Sequence, residues 1–282
     1  MTAIQRALQP DGYVLERNDA EAARLRDQAR VLEAATERML RAAGLEPGMR
    51  CLDAGCGTGE GMRICGRIVG HAGHVTGLDI DPATGRRALA AMLAEEGPQF
   101  AFVAGDITRG DPVPGAPFDM VFARLLLLHM ADPVGTVGRL AALVRPGGRL
   151  VLVDYDMGRL AVRPEHPAFD RAFQILTECF RRSGKDIETG LRLAQHVIAA
   201  GLPEPEGWDY VPSFGPVGVE GHRLVDVLAS LVPAAQALGI APPDEIEALR
   251  AELRAVVAAG KRMMICPTLI GVWTTIPHGQ RP

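Results

Sequence analysis

Arg50-Cys51-Leu52-Asp53-Ala54-Gly55-Cys56-Gly57-Thr58-Gly59 opens as a short apolar run and closes on alternating glycines. Residues 50–53 have the character of a buried strand, and Glu60 to Ile68 continues as a helix. The glycines therefore fall at a strand-to-helix turn, the place where an open α/β sheet binds its ligands. Glycine permits positive φ and carries no Cβ where the backbone runs close to a ligand. A second strand follows at Val75 to Leu78, with Asp79 at its end.

A dinucleotide fingerprint requires a third glycine three positions after the second. Counting from Gly55 and Gly57 puts Glu60 there, and counting from Gly57 and Gly59 puts Met62, so that reading fails. Asp79 suits a diol, because a carboxylate accepts two hydroxyl hydrogen bonds. The pattern Asp53-x-Gly55-x-Gly57-x-Gly59 resembles motif I of the class I S-adenosylmethionine (SAM)-dependent methyltransferases. Ala101-Phe102-Val103-Ala104-Gly105-Asp106-Ile107, Phe118-Asp119-Met120-Val121-Phe122-Ala123-Arg124 and Arg145-Pro146-Gly147-Gly148 running into Val153 resemble the family's later segments, in the family's order.

The resemblance implies SAM as cofactor, S-adenosylhomocysteine as product, and cofactor contacts at Asp53, Ala54, Gly55, Cys56, Gly57, Asp79, Ile80, Gly105, Asp106, Ile107, Ala123 and Arg124. It places Asp79 on the ribose, Asp106 near the adenine amino group and Ile107 against the ring. The fold it implies is α/β and Rossmann-like: a seven-stranded, mostly parallel sheet with helices on both faces, an N-terminal helical lid and a helical cap. Tyr13, Arg17, Arg24, Leu25 and Gln28 resemble the lid of these enzymes, with Tyr13 and Gln28 directed at SAM or substrate; the alternatives are a loop aromatic and a solvated helix residue.

Three segments are expected: a lid over 1–46, the cofactor core over 47–158, and over 159–282 the cap helices and final strands of the same domain. In the first, Leu25, Ala29, Leu32, Ala35 and Met39 recur at helical steps and predict a helix from Asp19 to Ala43. Asp81-Pro82 and Asp132-Pro133 are start signals for helices over 82–95 and 133–144. Further helices are expected over 168–182, 191–200, 221–238 and 244–259, with strands over 208–211 and 267–276.

The 282 residues, 48% hydrophobic, suffice for a full α/β core. A net charge of -4, with no basic run interleaved with aromatics, disfavours a nucleic-acid substrate. Five cysteines without a CxxC pair indicate neither a disulfide framework nor a zinc site, and no metal is expected. No apolar stretch approaches the roughly 20 residues that span a bilayer. The expectation is a cytoplasmic protein, monomer or homodimer, acting on a small molecule.

Methyl transfer needs a base only where the nucleophile is protonated, as in an alcohol. His129, after the fourth-strand loop, is the candidate, its ordinary pKa near 6.5 suiting proton removal; the alternative is a turn-ending histidine that bonds backbone or touches cofactor. Asp154, Tyr155 and Asp156 are expected to open toward the pocket, or to be a polar strand end. The activity expected is O-methylation of a secondary metabolite. N-, C- or S-methylation, and a SAM-binding homologue with non-methylating chemistry, are the alternatives.

Overall fold

The computed structural model describes residues 14–15, 19–93 and 99–278. A helix, α1 (Asp19–Ala42), leads into alternating strands and helices: β1 (Arg50–Ala54), α2 (Glu60–Val69), β2 (His74–Asp79), α3 (Pro82–Met92), β3 (Gln99–Ala104), β4 (Phe118–Arg124), α4 (Pro133–Ala142) and β5 (Val144–Asp156). The chain continues through β6 (Ala161–Arg163), α5 (Pro167–Arg182), α6 (Thr189–Ala199), β7 (Gly207–Val211), β8 (Phe214–Pro216), α7 (Val217–Ser230), α8 (Val232–Ala237), α9 (Pro243–Ala259), β9 (Met263–Ile265) and β10 (Thr268–Thr275).

Seven strands form one sheet in the order β3-β2-β1-β4-β5-β10-β7. The pairings among β3, β2, β1, β4 and β5 are all parallel. Strand order reverses between β1 and β4, which lie side by side with Ala54 opposite Ala123. The carboxyl ends of strands at such a switch point form the crevice in which open α/β sheets bind ligands. A mostly parallel α/β sheet is the Rossmann-like fold expected from the sequence.

Helices cover both faces, as a parallel sheet requires. On one face, α4 and α6 lay Val137, Leu140, Leu193 and Val197 over Val121, Leu150, Leu152 and Val272. On the other lies α1, whose Met39 sulfur is 2.7 Å from where a Cβ on Gly271 would stand. Of the apolar stripe read from the α1 sequence, Ala29, Leu32, Ala35 and Met39 are buried and Leu25 is half-buried.

The chain divides into two compact units. One holds Ala29–Asp154, Thr189–Tyr210 and Ile270–Pro282, and contains most of the large sheet. The other holds Met1–Gln28, Tyr155–Glu188 and Val211–Leu269. In the latter, α5, α7, α8 and α9 accompany a small sheet of order β6-β9-β8, antiparallel throughout. The single helix expected over 221–238 begins earlier, at Val217, and is interrupted at Leu231. Pro233, without an N–H, falls in the first turn of α8, where none is needed. Among the described residues, no helix is long and apolar enough to cross a membrane.

Leu140 is fully buried between α4 and the sheet. Leu140→Ala is expected to cost about 2–5 kcal/mol, by lost burial plus the cavity left behind. A lower urea midpoint with an unchanged slope is the signature to look for.

Candidate active site

The loop after β1 owes its path to three glycines with positive φ, Gly55 at 73°, Gly57 at 48° and Gly59 at 85°. Gly55 and Cys56 both donate backbone N–H groups to Leu78 O, at 2.8 and 3.0 Å, so the loop folds back over the end of β2. Asp79 completes the tie. Its Oδ2 accepts from Gly57 N at 2.7 Å, and its Oδ1 accepts from Asp81 N at 2.9 Å. Asp81 in turn caps α3, accepting from Ala83 N and Thr84 N.

Asp53 is buried at the end of β1, under the first turn of α2. Met62 donates its backbone N–H to the carboxylate, and the helix N-terminus favours negative charge there. Burial outweighs this help and pushes the Asp53 carboxyl up to about 7; Arg124 opposes that shift and Asp79 adds to it. Oδ2 of Asp53 is buried with no hydrogen-bond partner among the described residues. Gly61 permits the arrangement, because a Cβ there would stand 2.4 Å from that oxygen.

Across the switch point, β4 ends in Ala123 and Arg124. Arg124 donates to Thr36 Oγ1 at 2.9 Å, and Thr36 Oγ1 donates to Leu32 O at 2.7 Å. Leu125 holds φ at 54°, a left-handed conformation uncommon for a residue with a Cβ. Strain of this kind, of order 1–3 kcal/mol, concentrates at ligand sites. The bend delivers Leu126 against the glycine loop, 2.9 Å from where a Cβ on Gly55 would stand. The following 3-10 turn, Leu127–His129, is pinned by Asp154, which accepts from Leu128 N at 3.0 Å. Asp154 is thus a buried brace for the turn that carries half-buried His129, and so does not open outward. Asp156 is likewise buried, accepting from Gly158 N.

On the other side of β2, Gly105 donates to Asp79 O at 3.0 Å, and Asp106 caps a short turn by accepting from Thr108 N at 2.9 Å. Ile107 is buried, whereas Ile80 is 41% exposed directly beside Asp79. The large-sheet unit therefore brings together Asp53, Ala54, Gly55, Cys56, Gly57, Asp79, Ile80, Gly105, Asp106, Ile107, Ala123, Arg124 and His129 at the carboxyl ends of β1 to β4. Gln28 belongs to the other unit, where its Nε2 donates to Tyr155 Oη at 3.0 Å and its Oε1 accepts from Arg24 at 2.8 Å. Tyr13 lies outside the described residues. Gly61, Leu126, Thr36 and Asp154 were not singled out as supports for this site by motif reading; only Gly61, a glycine in the first turn of a helix, left a signal in the sequence.

The arrangement suits SAM. A carboxylate held by backbone amides ends β2 beside an exposed isoleucine, and the neighbouring loop backbone at Gly57 has open space where a side chain would project. The buried Asp53 Oδ2 lies beneath the loop with no partner among the described residues.

The pH dependence follows from Asp53. An unfolded aspartate titrates near 3.8 and the folded one at about 7, so between these values the native state holds a proton that the unfolded chain has released. The contribution of Asp53 to stability is therefore present at the acid end and is lost as pH rises from about 4 to 7. Asp53→Asn is expected to gain stability relative to the unaltered protein across that window in urea unfolding, and a constant difference would contradict the assignment.

Comparison with known proteins agrees with this geometry. The model of the methyltransferase domain family matches residues 24–176, more than half of the chain. The chain is 37% identical over 199 residues to the 27-O-demethylrifamycin SV methyltransferase of Amycolatopsis mediterranei, covering 67% of each protein. It is 29% identical over 168 residues to an uncharacterized 37.1 kDa protein in transposon TN4556 of Streptomyces fradiae, covering 59% of this chain and spanning only 47% of that protein. Among solved structures, the cyclopropane-fatty-acyl-phospholipid synthase-like protein of Lactobacillus casei shares the fold with a TM-score of 0.55 at 19% identity, covering 96% of this chain and 97% of that one. A switch-point crevice with an acid-ended β2 and a glycine loop, matched over more than half of its length by the family model, shows that this chain belongs to the methyltransferase domain family and uses S-adenosylmethionine.

Proposed function

We propose that the protein transfers a methyl group from SAM to a hydroxyl oxygen of a small molecule, in secondary metabolism and in a cytoplasmic setting. The observation that carries the reading is Asp79, a carboxylate fixed by two backbone amides at the carboxyl end of β2, beside the glycine loop. Oxygen as the acceptor atom is supported by the name of the Amycolatopsis mediterranei relative. Five free, buried cysteines accord with a reducing compartment.

In this reading Asp79 binds the ribose hydroxyls, Ile80 and Ile107 contact the adenine, and Asp106 accepts from its amino group. The glycine loop, with Ala54, Cys56, Gly105 and Ala123, admits the methionine part. Arg124 balances the buried Asp53 and supports the loop from the β4 side. When bound, SAM supplies an electrophilic methyl group on a sulfonium.

The protein's own tasks are to orient the acceptor, exclude water and move one proton. Orientation of this kind is worth about 7–11 kcal/mol in favourable systems. His129 takes the proton of the acceptor hydroxyl, and Asp154 is the positioning residue that holds its turn.

Isothermal titration with SAM and S-adenosylhomocysteine, paired with mass detection of product from a small-molecule extract, tests the reading. Asp79→Ala is expected to weaken SAM binding roughly 10- to 100-fold, the loss of charge-assisted hydrogen bonds of about 1.5–3 kcal/mol. Unchanged affinity would remove the pocket from the end of β2. Binding without a methylated product would sink the transfer reaction while sparing the cofactor site.

His129→Ala separates binding from chemistry. SAM affinity is expected to stay constant while kcat falls about 10²–10⁴-fold and the acid limb of the pH–rate profile disappears. A retained acid limb would assign the proton transfer elsewhere.

A further inference from the structure

Strand alternation divides the residues around the glycine loop between two layers. Leu52, Ala54, Val121 and Ala123 pack with α4 and α6. Cys51, Asp53, Phe122 and Arg124 therefore face the opposite layer, since side chains alternate along a strand. Helices α1 and α2 supply that layer: the Cys65 sulfur of α2 lies 3.6 Å from that of Cys51, and Thr36 of α1 bonds Arg124. Asp53 is in register with Phe122, so Arg124, two residues on, is its diagonal neighbour on one face, within reach of a long side chain.

Thr36 is fully buried, and a hydroxyl has one proton to give. That proton goes to Leu32 O at 2.7 Å, so toward Arg124 Nη1, 2.9 Å away, the same oxygen can only accept. The bond holds a guanidinium on a residue that is only half-buried, at the crevice end of β4. Asp53, by contrast, is buried, and its Oδ2 has no hydrogen-bond partner among the described residues. From the β4 side, the positive charge of Arg124 favours the ionised carboxylate. From β2, Asp79 disfavours it. The thiols of Cys56, raised by burial, and of Cys65, raised by its bond to Cys51, carry no charge near neutral pH.

SAM carries one positive charge more than S-adenosylhomocysteine, because its sulfur is a sulfonium. A negative charge beneath the loop that receives the methionine part thus favours cofactor over product. We infer that Thr36 is a positioning residue of the cofactor site: by holding Arg124 on the Asp53 face of the sheet, it keeps a negative charge beneath the glycine loop and strengthens the preference for SAM over its product. The inference rests on the placement of SAM at that loop proposed above. With a methyl group in place of the hydroxyl, the guanidinium turns outward to water, because a hydrated charge is more stable than a buried one short of a partner. Asp53 then holds its proton to higher pH.

Thr36→Val keeps the shape of the side chain and removes its oxygen, whereas Thr36→Ser keeps the oxygen. Urea unfolding of each protein beside its Asp53→Asn counterpart isolates the Asp53 charge, with no ligand present. In the unaltered chain the stability difference stops changing near pH 7. In Thr36→Val that end point is expected about 0.5–1 pH unit higher, and in Thr36→Ser back at its original place. Isothermal titration near pH 7 is expected to show the ratio of SAM to S-adenosylhomocysteine affinity lowered about 3-fold in Thr36→Val, the factor equivalent to half a pH unit, and restored about two units higher. An end point that stays in place or moves to lower pH overturns the proposal, as does one that moves equally in Thr36→Ser, or a shifted end point with an unchanged affinity ratio. Binding of neither ligand removes the placement of SAM and the proposal with it; a shifted end point then assigns the failure to the cofactor site and not to the Thr36 coupling.

Discussion

The hydrogen bond from Gly57 N–H to the Asp79 carboxylate is the constraint on which the site depends. It joins the loop leaving β1 to the end of the neighbouring strand and so decides where the first turn of α2 begins. Without it the glycine loop would have wide conformational freedom, because glycine pays more entropy on ordering than other residues. With it, one carboxylate serves two purposes: it fixes the loop and faces the crevice. The second oxygen performs the same service for Asp81, and through Asp81 for the start of α3.

Around that bond the switch point sets the electrostatics. Asp53 is buried beneath α2, where the helix N-terminus and Arg124 favour its charge while burial and Asp79 oppose it. Arg124 is held by Thr36 on α1, so a helix remote in sequence tunes an acid at the end of β1. The strained Leu125 and the Asp154 brace belong to the same construction. Both shape the path that brings Leu126 to the loop and His129 to the rim. The site is thus a set of strand ends whose side chains support one another more than they support the core.

Much of this was legible in the residues. The heptad-like stripe of α1, the proline-marked starts of α3 and α4, and the strands ending at Asp53, Asp79 and Arg124 all follow local rules of periodicity and capping. The break in the helix over 217–237 was missed because the apolar pattern continues through it; Pro233 was the signal, and it falls where a new first turn begins. The small sheet of β6, β9 and β8 left no readable trace, since three-residue strands carry almost no periodicity. Asp154 illustrates a further limit. A carboxylate after a parallel strand looks like a pocket residue until the fold supplies the amide of Leu128 as its partner.

The sequence by itself determined the class of fold and the cofactor chemistry, because the glycine spacing, the strand-ending acids and the helix starts are local features whose physics acts within a few residues. Tertiary structure alone decided which groups oppose one another across the switch point: Gly61 beneath Asp53, Thr36 on Arg124, and Leu126 against Gly55. These pairings join residues as far apart as 88 positions, and no local propensity encodes them. They arise when burial of the two helix layers fixes the sheet order, and the chain's remaining polar groups must then find partners in that arrangement.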